Sequence, residues 1–209
     1  MAVIKVIASL FSSIKTVERG LEKMMPGDEI QLANGHYKES ITIQQDVTIT
    51  GNNRIETIFE GTIIIPKNCS VTLKNMTIIP TVQLYVEGML TVEQVIFDGP
   101  KTSSILSLNG GNAYIENCLF QNAKDVAITA LNESVIEIKQ SKFLKNGKTH
   151  LMAESSIIRF SDSSFEDANH ALWLKNKSKG LSGTNHFKEH TGTQIIVQNE
   201  STFTDASSK

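Results

Sequence analysis

The sequence has two cysteines, three arginines and no apolar run long enough to span a membrane. Each shortage excludes something. Cys69 and Cys118 do not fall at equivalent repeat positions, so no disulfide is expected, and two free thiols fit a reducing, cytoplasmic setting. The apolar opening Ala2 to Phe11 carries Lys5 in its middle and lacks a basic leader, so it does not read as a secretion signal. A net charge of −2 gives no electrostatic reason to bind nucleic acid or an anionic membrane. No helical spacing of apolar residues persists beyond residue 30, which rules out a helical domain.

What the chain does have is a period. Phe97, Phe120, Phe143, Phe165 and Phe187 follow one another at intervals of 23, 23, 22 and 22 residues. Five residues before the first four stand Val92, Ile115, Ile138 and Phe160, and three residues before stand Gln94, Asn117, Gln140 and Asp162. Leu73, Asn75 and Ile78 fit one unit earlier. A fixed period of this length marks stacked units. Within a unit, Ile136-Glu137-Ile138 and Ile158-Arg159-Phe160 alternate as strands with one buried face. A second short strand precedes each: Ile63 to Ile65, Ile105 to Leu108, Ile128 to Leu131, Leu172 to Leu174, Ile195 to Val197. Asn109-Gly110-Gly111-Asn112, Asn132-Glu133-Ser134 and Asn199-Glu200-Ser201 supply the turns between, because Asn tolerates left-handed geometry. The Leu-x-x-Leu-x-Leu signature of leucine-rich repeats is missing. The period therefore predicts an all-β parallel β-helix over residues 31–203. The Phe120, Phe143 and Phe165 rings should stack inside it.

Residues 1–30 read as an N-terminal cap. Val3 to Val6 is a strand, and Ser12 or Ser13 is the expected N-cap of the one helix, whose apolar stripe is Ile14, Val17, Leu21 and Met24 or Met25. Such a lid covers the first coil of a solenoid. Residues 204–209 read as a tail or the start of a linker.

With Pro26-Gly27-Asp28-Glu29-Ile30, Gly35-His36-Tyr37-Lys38-Glu39 and Val47-Thr48-Ile49-Thr50-Gly51, the opening resembles the entry segment of the pectin lyase-like superfamily of right-handed parallel β-helices. That resemblance implies the fold and a choice among lyases, hydrolases, esterases, adhesins and binding modules. It also extends to the N-terminal β-helix modules that precede ATPase domains in bacterial proteins resembling stage V sporulation protein K. Gly35-x-Tyr37-x-Glu39 matches an esterase signature, but the Gln-Asp-Thr and Asp-Phe-x-Phe-Gly segments of that family are absent, so a structural role for the motif is expected. A hydrolase would need two carboxyl groups across the scissile bond, and a calcium-dependent lyase would need clustered aspartates and an arginine base. Neither set is complete, and no catalytic residue, cofactor or metal is assigned.

Two candidate surfaces remain. Asp125, His150, His170 and His190 fall in successive loops and would form a weak groove for sugar hydroxyls. Counting the first strand of each unit from its turn residue points Ile128 and Ala130 inward. Ile64, Gln83, Leu106, Thr129, Leu151, Trp173 and Ile196 then point outward. The apolar members Ile64, Leu106, Leu151, Trp173 and Ile196 make a stripe fit to contact a protein partner, a second copy or a following domain. The expectation is a non-catalytic recognition module, with a carbohydrate-active or polysaccharide-binding protein as the alternative.

Overall fold

The computed structural model describes residues 2–9, 12–99 and 103–206. Leu10 and Phe11 of the apolar opening and Ser207 to Lys209 of the expected tail lie outside the described residues. The chain winds into successive coils, each giving one strand to each of three parallel sheets. Sheet I has ten strands, from Val3–Val6 through Glu29–Leu32 and Val47–Gly51 to Thr202–Asp205. Sheet II has eight, from Gly35–Lys38 to Asn185–His190, and sheet III has eight, from Ile41–Thr42 to Ile195–Val197. The chain runs from I to II to III in each turn. The expected parallel β-helix is the fold.

Register explains the period. Phe97, Phe120, Phe143, Phe165 and Phe187 are rung partners in sheet II. Their rings stack at centroid distances of 4.5, 5.1, 4.9 and 5.2 Å, and the first four are fully buried. In sheet I, Leu73, Val92, Ile115, Ile138 and Phe160 form the facing inward column. Thr72, Thr91, Tyr114, Glu137 and Arg159 point outward between them, as the alternation requires. Burying each large apolar side chain contributes about 1.5–3 kcal/mol, and a column of them in register makes the stack cooperative.

The corner between sheets I and II is built from one unusual backbone conformation repeated coil after coil. Asn75, Gln94, Asn117, Gln140 and Asp162 all have φ between 48° and 55°. Residues with a side chain disfavour this region by roughly 1–2 kcal/mol, least for Asn and Asp. In return each corner N–H donates to a carbonyl of the next coil, as Asn117 N does to Lys139 O at 3.2 Å. One residue further on, buried serines form a ladder. Cys118 N donates to Ser141 Oγ, Ser141 N to Ser163 Oγ and Ser163 N to Asn185 Oδ1, all near 3.1 Å. A second ladder runs through Ser156, Ser178 and Ser201 at the corner between sheets III and I. These hydroxyls satisfy amides that the sharp bend removes from the sheet.

The cap differs from expectation in one detail. Thr16, not Ser12 or Ser13, is the N-cap of α1 (Val17–Lys23), accepting from Arg19 N at 3.2 Å. Ser12 is spent on a local turn with Ile14, so the helix starts a turn later. The Gly35-x-Tyr37-x-Glu39 motif ties this cap to the first coil. Tyr37 is buried and its hydroxyl reaches Val6 O and Ala33 O, both at 2.9 Å. Glu39 accepts from Val17 N at 2.7 Å and Glu18 N at 2.9 Å. The helix packs on Val3–Val6 and Glu29–Leu32, with Gly20 close against Val6 and Ile30. No helix among the described residues is long and apolar enough to cross a membrane.

Candidate functional site

The outward column of sheet III is Ile64, Tyr85, Ser107, Thr129, Met152, Trp173 and Ile196. Ile64, Trp173 and Ile196 point outward as expected. Leu106 and Leu151 do not: both are fully buried and share the inward column with Leu84, Ile128 and Leu172. Gln83 lies outside the column, ahead of the strand Leu84–Val86. The slip has a definite origin. Counting Asn109 and Glu154 as counterparts of the turn residue Asn132 places them one residue early. Asn109, Leu131 and Glu154 are rung partners, and the left-handed conformation falls on Gly110, Asn132 and Ser155. Positive φ at Gly110, rather than an Asn, is the signal that would have corrected the count.

The corrected face is therefore not a continuous apolar stripe. Ser107 and Thr129 interrupt it, leaving Ile64 and Tyr85 at one end and Met152, Trp173 and Ile196 at the other. Trp173 is half-buried and makes three contacts. Its indole Nε1 donates to Gln198 Oε1 at 3.1 Å, Lys175 Nζ lies 3.7 Å from the ring centroid, and the His170 ring stands at 6.4 Å. Lys175 and His170 lie on the same strand either side of Trp173, so the indole is clasped along the strand.

The four loop residues do not form one groove. Asp125 pairs with Lys148 at 2.8 Å, and that hydrogen bond holds its carboxyl below the usual carboxylate range. His170 carries its proton on Nδ1, because that atom bonds the carbonyl of Thr193 at 2.7 Å. His150 is not on a solvated loop at all. It is fully buried where the chain bends into sheet III, a position shared with the buried Ile105, Ala127 and Ala171. Burial, then the neighbouring His190, pushes its pKa down to about 3. The His190 ring meets it edge to face at 5.6 Å, and burial lowers the His190 pKa too. Of the four, His150 and His190 are the pair whose rings meet. Among the described residues, no three His, Cys, Asp or Glu side chains converge as a metal would require.

A larger concavity, not anticipated from the sequence, runs along the corner between sheets I and II. It encloses about 790 Å³ and spans seven coils. Asn117, Gln140 and Asp162 line it at the corner, and Ile96, Leu119, Lys142, Ser164 and His186 line it from sheet II. Arg54, on the longer turn that follows Val47–Gly51, closes one end and donates to Val95 O at 3.1 Å. Its Nε has no hydrogen-bond partner among the described residues. The free thiol of Cys118 sits beneath the groove, with its pKa pushed up to about 11 by burial.

Comparison with known proteins follows the geometry. Residues 61–207 match the family model described as "Right handed beta helix region". No curated protein matches the sequence. Among solved structures, an alginate lyase from Paenibacillus sp. str. FPU-7 is 9% identical, with 95% of this chain and 98% of that one covered and a TM-score of 0.37. ORF18 of Geobacillus virus E2 is 10% identical, with 91% of this chain and 58% of that one covered, again at a TM-score of 0.37.

Proposed function

Since the chain belongs to the right-handed β-helix family, whose fold does not by itself define an activity, we propose that it is a non-catalytic recognition module. It meets a protein surface through Met152, Trp173 and Ile196, and a second copy of the chain is the first partner to test. The observation that carries this reading is the clasped indole. With Lys175 and His170 along its strand, Trp173 offers its edge and its apolar neighbours rather than an open ring face, which suits a packed protein contact better than a stacked sugar. The two buried thiols favour a reducing, cytoplasmic setting for this contact.

Trp173 is the sole tryptophan, so its emission reports on this patch alone. A blue shift with rising protein concentration, in parallel with association measured by light scattering, supports the reading. Association that survives Trp173→Ala unchanged overturns it.

A second reading has its own observation. The side chains of Asn117, Gln140, Ser164 and His186 line the groove with no hydrogen-bond partner among the described residues, beside the apolar Ile96 and Leu119. Donor–acceptor amides repeating along the stack suit the hydroxyls of a linear polysaccharide. Titration with neutral and acidic oligosaccharides tests it. Binding abolished by Gln140→Ala but not by Trp173→Ala places the ligand in the groove.

A further inference from the structure

We propose that the gap between α1 and the strand Ile41–Thr42 is a docking site for an extended peptide carrying basic residues, which adds to sheet III as an extra strand. The basis is a mismatch in how the three sheets begin. Sheet I starts with Val3–Val6, one coil ahead of everything else, so its first full coil is paired. In that leading coil the position over sheet III is taken by α1, pinned at its start by Glu39 and at its end by Asp28, which accepts from Met25 N at 3.1 Å and Ala2 N at 2.7 Å. A helix cannot complete a β-ladder. Ile41 N and Ile43 N donate to Thr62 O and Ile64 O of the coil below, both at 2.9 Å. The N–H and C=O of Thr42 therefore point the other way, towards α1. Among the described residues, no strand pairs with that edge.

The gap encloses about 490 Å³. Leu21, Met24 and Ile41 give it an apolar floor, and Glu18 and Glu22 face it from the helix. Glu22 is shared with Arg19, whereas Glu18 has no ion pair among the described residues. The lining thus holds carboxylates and no cation. An open strand edge fixes an extended backbone, the floor takes every second side chain, and the carboxylates select basic residues between them. This site is remote in sequence from Trp173 and does not depend on the role given to that residue.

The probe is the blocked pentapeptide Ac-Val-Lys-Val-Lys-Val-NH₂, added to the full chain and followed by amide hydrogen exchange and backbone NMR shifts. The Thr42 amide should exchange at least tenfold more slowly with saturating peptide. Thr42→Pro removes the outward N–H without touching the ladder donors at Ile41 and Ile43, and should weaken binding at least tenfold. Glu18→Lys, an exposed change that leaves the strand intact, should weaken it several-fold and keeps the test decisive if the proline variant misfolds. No protection at Thr42, shifts confined to the Trp173 patch or the long groove, or binding indifferent to Glu18→Lys would each overturn the proposal.

Discussion

The side-chain amide of Asn146 donates to Nδ1 of His150 at 3.0 Å, and its orientation is not free to change. Asn146 Oδ1 accepts from Ala123 N at 2.9 Å, so Nδ2 must be the end that faces the imidazole and Phe120 O. His150 Nδ1 is consequently an acceptor, and the neutral ring carries its proton on Nε2. Among the described residues that N–H has no hydrogen-bond partner, in a core of Phe143, Phe165 and His190.

A pH dependence follows. The folded state holds the His150 pKa near 3, against 6.5 for an unperturbed imidazole. The unfolded chain therefore binds more protons between these values, and stability falls as pH drops through that window and is complete above 6.5. The full effect is roughly 4–5 kcal/mol. Thermal melts from pH 7.5 to 4 should show a falling Tm. His150→Phe, which keeps an aromatic ring beside Phe143 and Phe165, should flatten most of that slope. A slope unchanged by the substitution would assign it to other groups.

Phe143→Ala should be among the most damaging single changes. Phe143 lies between Phe120 at 5.1 Å and Phe165 at 4.9 Å, so its removal breaks the ring column at its centre. The cost should be about 3–5 kcal/mol by denaturant titration. A loss under 1 kcal/mol would mean that neighbouring coils can close over the gap.

Glu39→Gln should loosen the cap without disturbing the coils. The carboxylate accepts from two N–H groups at the start of α1, and the amide keeps only one acceptor and no charge. A loss of about 0.5–2 kcal/mol is expected. Exchange at Val17 and Glu18 should accelerate more than exchange in the Phe column. Uniform acceleration would show that the cap and coils unfold together.

The repeat was legible because every coil spends the same residue types on the same tasks. A ring at the Phe position, a large apolar residue five earlier and an amide or carboxyl three earlier, at the left-handed corner, recur at fixed offsets from Val92 to Phe165. The face of sheet III was not legible to the same degree. Its loops vary in length, and Asn109 imitates the turn residue Asn132 while occupying the strand position of Leu131. A one-residue slip exchanges the faces of a strand, which is why Leu106 and Leu151 were assigned to the surface. His150 was misplaced for a related reason, since a bend that turns two successive residues inward breaks simple alternation. The long groove left no local mark because its lining residues, from Arg54 at one end to His186 at the other, come from successive coils and share one face only through stacking.

Leu151 and Trp173 should now separate cleanly. Leu151 is fully buried beside Ile128 and Leu172, so Leu151→Ala removes core volume and should cost about 2–5 kcal/mol. Trp173→Ala removes an outward side chain whose partners, Gln198 and Lys175, remain free to meet water. Its cost to the isolated chain should be about 1 kcal/mol or less, since surface changes seldom exceed that. Denaturant titration of both variants beside their association behaviour gives four measurements. The corrected register requires the stability loss at Leu151 and the association loss at Trp173. A large stability loss at Trp173 would mean that the clasp by Lys175 and Gln198 is part of the fold, and the recognition patch would have to be sought elsewhere on the solenoid.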